Sequence, residues 1–124
     1  QAAAECRRVL SAFFAEMTEW EQYMEQAGFE DAEAVPRLLA IWEKYVSEKP
    51  RPGYRPLGLS YSAQGTYKGE QFLDAEQITR NKLYIYTREE NIGFDRRFLI
   101  KRVGEGWRID GLQERLNGWQ RTGL

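Results

Sequence analysis

At 124 residues, 42% hydrophobic and 30% charged, with a net charge of −1, the chain has the size and composition of one globular domain (residues 1–124). Those values exclude a disordered tail and give no electrostatic case for whole-surface nucleic-acid binding. The charge is layered, however: residues 1–50 carry ten acids and five bases, and residues 51–124 carry nine acids and thirteen bases.

The first element in chain order is a helix over residues 4–27. Cys6, Leu10, Phe13, Phe14, Met17, Trp20 and Met24 recur at three- and four-residue spacing, which places them on one face. Glu16, Glu19, Glu21 and Glu25 fill much of the opposite face, and Gly28 is a good terminator. Cys6, the single cysteine, cannot close an internal disulfide, which points to a reducing, cytoplasmic compartment; on the apolar stripe it reads as an inert buried thiol. Gln1 in place of an initiator Met leaves room for an upstream segment already removed.

A second helix follows, with Val35, Leu38, Leu39, Trp42, Tyr45 and Val46 on one face, Asp31 as its cap and Pro36 in its first turn. Pro50, Pro52 and Pro56 forbid continuation, so it ends near Glu48. The acids of this helical half (Glu16, Glu19, Glu25, Glu30, Asp31 and Glu33) suit a solvated face, or a phosphate-like surface for a basic nuclease cleft. No apolar run reaches the roughly eighteen residues that a membrane span requires.

The remainder reads as strands. Leu57–Ala63 is a short one, Phe72–Thr79 is weaker, and Lys82–Arg88 is β-branched and aromatic. After a turn at Glu90–Gly93 come Phe94–Val103, a tight Gly104-Glu105-Gly106 turn, Trp107–Leu116, an Asn117-Gly118 turn and Trp119-Gln120. Short connections demand antiparallel pairing, because parallel strands need crossovers of about a dozen residues. Alternation places Phe94, Phe98 and Ile100 on the helix-facing side, with Arg97, Leu99 and Lys101 opposite. On the next strand Trp107 and Ile109 face in, and Arg108, Asp110 and Leu112 face out, unless a bulge shifts the register. The fold class expected is therefore α+β: N-terminal helices packed on a strongly curved antiparallel sheet, cone-shaped in outline.

Chemistry is sparse. The absence of histidine removes Ser-His-Asp and Cys-His arrangements together with the commonest metal ligand, and one cysteine makes no thiolate zinc site; neither metal nor cofactor is expected. Asp110, between Ile109 and Gly111, is the one candidate acid; the alternative is an outward carboxylate paired with Arg97 or Lys101. Binding is better supported. Tyr84, Tyr86, Arg88, Arg97, Lys101, Arg108 and Trp119 combine the residue types that anchor protein interfaces. RNA stacking is a competing use of aromatics among bases.

Several segments resemble immunity proteins with a nuclear transport factor 2-like fold, which accompany bacterial polymorphic toxins: Trp20-Glu21, Tyr84-Ile-Tyr-Thr-Arg-Glu89, Phe98-Leu-Ile-Lys-Arg102, Gly106-Trp-Arg-Ile-Asp110 and Gly118-Trp-Gln-Arg-Thr-Gly-Leu124. The resemblance covers nearly the whole chain. It implies a non-enzymatic protein that binds and sterically blocks a cognate toxin domain; charge balance and the lack of a long apolar run leave neither nucleic acid nor membrane as an expected partner. It brings no shared catalytic residues to carry over. A homodimer through the outer sheet face is compatible with it. The alternative is a small-molecule carrier or an isomerase- or dehydratase-type enzyme of the same superfamily, using the cone cavity with Asp110 and a tyrosine such as Tyr61, Tyr67 or Tyr84. The dehydratase type relies on histidine, which this chain lacks.

Overall fold

In the computed structural model, which describes residues 1–48, 55, 61, 65–90 and 92–124, the first apolar stripe becomes helix α1, Ala2–Ala27. All seven stripe residues are buried, and Glu21 is buried with them. Each large apolar side chain so removed from water contributes on the order of 1.5–3 kcal/mol, before the entropy of ordering is deducted. The helix stops where Gly28 takes a φ of 82° and its N–H bonds to the Met24 carbonyl at 2.9 Å. Burial pushes the Cys6 thiol up to about 12, as an inert thiol requires.

Helix α2 spans Ala34–Tyr45. Its N-cap position is Glu33, with no side-chain cap bond, so the expected cap Asp31 stands two residues ahead, accepting the Glu33 N–H at 2.8 Å and the Tyr23 hydroxyl at 2.6 Å. Its buried face is Ala34, Leu38, Ile41 and Trp42, whereas Leu39 is exposed. The face expected from the sequence is thus rotated toward Ile41. The rotation follows from docking on α1, where the Trp20 indole N–H bonds to the Ala34 carbonyl at 3.0 Å. The helix ends three residues before Glu48 because Val46 turns extended and bridges Ile109 of the sheet, with the Ser47 N–H on the Ile109 carbonyl at 2.9 Å.

Five antiparallel strands follow in meander order: β1 Gln71–Thr79, β2 Lys82–Arg88, β3 Asp95–Val103, β4 Gly106–Arg115 and β5 Trp119–Thr122. They form a curved, unclosed sheet beneath the two helices. The expected strand at Leu57–Ala63 lies outside the described residues, Tyr61 apart, as do the three prolines before it. Asn117 and Gly118 both take positive φ (61° and 98°), the left-handed backbone that Asn and Gly adopt at least cost. The edge strand β1 shifts register at Leu73 and again at Ile78, and such bulges twist an exposed edge and discourage further pairing.

One irregularity decides the outer surface. Across β3 and β4, Leu99 pairs with Gly111 but Ile100 pairs with Ile109, so Asp110 is an extra residue on β4. The bulge returns Leu112 to the core face, where it is buried with Trp107 and Ile109, in place of the outward position that strict alternation assigns.

The core between α1 and the sheet is aromatic. Phe14 stacks on Tyr67 at 5.0 Å between ring centroids and meets Phe98 edge-on at 5.3 Å, while Phe13 contacts Tyr67 at 5.5 Å and Trp42 at 5.8 Å. Beside it lies a buried polar layer. Glu21 accepts the Thr66 N–H and hydroxyl at 2.8 and 2.6 Å and pairs with Arg55 at 3.5 Å. Arg55 also donates to the Leu124 carbonyl at 2.8 and 3.0 Å. Glu70 pairs with Arg96 at 3.5 Å and accepts the Thr87 hydroxyl at 2.7 Å.

Candidate functional site

The outer face of the sheet, turned away from the helices, gathers the aromatic and basic residues. On β2 the inward positions are Leu83, Ile85 and Thr87, so Tyr84, Tyr86 and Arg88 alternate outward. On β3, burial of Arg96, Phe98 and Ile100 turns Asp95, Arg97, Leu99 and Lys101 outward. Beyond the bulge, β4 presents Gly111, Gln113 and Arg115, and β5 presents Trp119, paired with Arg115, and Arg121, paired with Gln113.

Four of the seven expected binding residues form one assembly. The Arg97 guanidinium carbon lies 4.1 Å from the Tyr84 ring centroid and 4.4 Å from that of Trp119. Tyr86, directly across the strand from Arg97, contacts both Tyr84 (6.1 Å) and Trp119 (5.8 Å, edge-on). A guanidinium held over aromatic faces gains about 0.5–2 kcal/mol per contact, depending on how far it is dehydrated. Trp119 reaches Arg97 from β5 across β4, and the missing side chain at Gly111 leaves open space on that strand.

The other three occupy different settings. Arg88 is paired with Asp95 at 3.0 Å. Lys101 sits 3.4 Å from Asp110, whose second partner is the Ser47 hydroxyl at 2.6 Å. Arg108 leaves the aromatic assembly altogether and donates to the Glu43 and Lys44 carbonyls at the end of α2, where a cation also complements the helix dipole.

Two contributors were missed in the sequence. Gln113 accepts the Arg97 Nε–H at 2.6 Å, and Glu76 accepts the Tyr86 hydroxyl at 2.6 Å; burial first, and then the Glu76 bond, raise the pKa of Tyr86 against the opposing pull of Arg97. The signal for both is strand register: Gln113 is legible as the neighbour of Arg97 only once the bulge at Asp110 is known, and Glu76 only once the bulges of β1 are.

The polar groups weighed for a catalytic pocket do not converge. Asp110 pairs with Lys101 of the outer face, Tyr84 lies on that outer face, and Tyr67 lies inside, against Phe13, Phe14 and Phe98. Burial pushes the Tyr67 hydroxyl up to about 12. The acids of the helical layer are partly engaged within it, Glu16 with Lys44 and Tyr45 and Asp31 with Tyr23. Among the described residues, no three His, Cys, Asp or Glu side chains gather as a metal site, and no helix is long and apolar enough to cross a membrane.

Neither a curated protein nor a solved structure matches this chain. A family model does, over residues 5–123, taking in both helices and all five strands described above. With two helices over a curved, open antiparallel sheet, and with that match across nearly its whole length, the chain belongs to the NTF2 fold immunity protein family.

Proposed function

We propose that this immunity protein binds a cognate toxin domain in a one-to-one complex and neutralises it sterically, without catalysis of its own, and that residues 1–124 act as one domain in doing so. The contact surface is the outer sheet face built around Tyr84, Tyr86, Arg97 and Trp119. One observation carries this reading: a protein of an immunity family displays three aromatic rings around an arginine on a sheet face that no helix of the described structure covers. Tyr, Trp and Arg at the centre of a surface are the residues that most often anchor protein complexes: the two aromatics remove much area from water with few torsions to freeze, and arginine adds a planar, stacking group with several donors. Blocking of this kind needs area and complementarity, on the order of 1,200–2,000 Å² in total, and no reacting groups.

Co-expression of the chain with the toxin domain encoded beside its gene, followed by co-purification and a growth assay, tests the reading. A stable complex with rescued growth is expected. Rescue without a complex would indicate enzymatic reversal of the damage, and loss of both would end the immunity reading for that toxin.

A further inference from the structure

The cations on the outer sheet face differ in whether their charge is already answered. Arg88 has Asp95 and Lys101 has Asp110, each within ion-pair distance. Glu76, which Tyr84 faces across the strands, is engaged by the Tyr86 hydroxyl. Arg97, half-buried at the centre, makes no ion pair among the described residues. Its polar contacts there are neutral ones: the Gln113 side chain, which holds Nε at 2.6 Å, and the Tyr86 hydroxyl, to which the guanidinium also donates. With Nε fixed and the guanidinium held against the Tyr84 and Trp119 rings, neutral partners engage only part of its five N–H donors, and its charge stays unanswered among the described residues.

Resting on the toxin-binding reading above, we propose that Arg97 is the anchor of the interface and receives a surface carboxylate, an Asp or Glu side chain of the toxin, within its aromatic frame. A partly desolvated arginine whose orientation is already fixed loses little entropy on pairing, and the surrounding rings exclude water from the bond that forms. The exposed bases Lys82, Arg115 and Arg121 lie on the same face and favour the approach of an acidic surface. The chemistry fits one carboxylate better than a nucleic-acid backbone. A polyanion needs a run of unanswered cations. Here Arg88 and Lys101 are already paired and the β1 border of the face carries Asp74 and Glu76, so the bases Lys82, Arg115 and Arg121 are not continued into a track across the face.

The test is titration calorimetry of the wild-type chain and its variants against the toxin domain encoded beside the gene. Arg97→Gln is expected to weaken binding by roughly a hundredfold, in the range of interface anchors, and Arg97→Lys by roughly tenfold, because lysine keeps the charge but loses the fork and the stacking. Arg97→Glu is expected to abolish binding, and one Asp or Glu→Arg substitution on the toxin is expected to restore it to that variant alone. Gln113→Ala, which frees Nε without touching the charge, provides a second route should an Arg97 variant lose its fold; a severalfold loss is expected. Wild-type binding that Arg97→Glu and Gln113→Ala leave unchanged would overturn the carboxylate assignment while sparing the immunity function. Failure of the wild-type chain to bind would remove both. A single-stranded oligonucleotide that binds the wild type and loses affinity in Arg97→Gln, with toxin binding unaffected, would make the site a phosphate receptor and also overturn the proposal.

Discussion

The Ser47 hydroxyl donates to the Asp110 carboxylate at 2.6 Å, joining the segment that leaves α2 to the single extra residue of β4. The same carboxylate faces Lys101 at 3.4 Å, so the bulge is held from the helical layer on one side and from β3 on the other. Because the bulge sets the facing of everything after it on β4, this contact also determines where Gln113 stands relative to Arg97. Asp110→Ala is therefore expected to lower stability by about 1–3 kcal/mol in urea denaturation, the range for a buried hydrogen-bonded group left without its partner. Asp110→Asn, which retains an acceptor for Ser47, is expected to lose less.

The inward turn of Leu112 separates two substitutions that strict alternation would rank alike. Leu112 is buried against the core, whereas Leu99 stands half-buried on the outer face opposite Gly111. Leu112→Ala is expected to cost about 2–5 kcal/mol, as cavity-forming core truncations do, and Leu99→Ala about 1 kcal/mol or less. Equal losses in thermal or urea denaturation would contradict the bulged register.

Glu21 and Arg55 form an ion pair in which both side chains are more than nine-tenths buried. Removing one partner leaves the other charged and poorly solvated, so Glu21→Gln is expected to destabilise by about 3–5 kcal/mol. Replacing both, as Glu21→Leu with Arg55→Met, is expected to recover a large part of that loss. A double variant no more stable than the single one would show that the Thr66 and Leu124 contacts, and not the charge pairing, are the main contribution.

Burial holds the Glu70 carboxyl above the usual carboxylate range, against the opposing pull of its Thr87 hydrogen bond and the Arg96 charge; Glu89 and Glu114 push the same way as burial. A carboxyl raised in the folded state binds its proton there more readily than in the unfolded chain. Its favourable contribution is thus complete below the unfolded pKa and is lost as pH rises through the folded one. The stability of the wild type relative to Glu70→Gln is accordingly expected to fall as pH rises from the ordinary carboxylate range toward neutrality. A difference that stays flat, or rises, across that window would contradict the assignment.

Arg108 and Trp119 were grouped together by composition, and the structure separates them. Trp119 stacks with Arg97, while Arg108 binds carbonyls of α2. In the toxin titration Trp119→Ala is expected to weaken binding tenfold or more, as loss of an aromatic anchor does, at roughly 1.4 kcal/mol per factor of ten. Arg108→Ala is expected to leave affinity near wild type and to cost about 1 kcal/mol of fold stability.

By itself the sequence determined what local periodicity can encode: the α1 stripe from Cys6 to Met24, the stop at Gly28, and the five strands, β1 most weakly, with the glycine-bearing turns from β2 onward. Each is written in residues a few positions apart, where the 3.6- and 2-residue repeats and backbone preferences act. The tertiary structure alone decided the rest. Whether Leu39 or Ile41 faces in depended on how α2 docks against Trp20 and Ala34. Whether Leu112 faces in depended on a bulge at Asp110, pinned by Ser47 from sixty-three residues away. The aromatic frame of Arg97 comes from β2 and β5, and register across the intervening strands, not composition, brought Tyr84, Tyr86 and Trp119 to one guanidinium while sending Arg108 elsewhere. A one-residue slip exchanges the faces of a strand, and nothing within the strand's own sequence records whether that slip is taken.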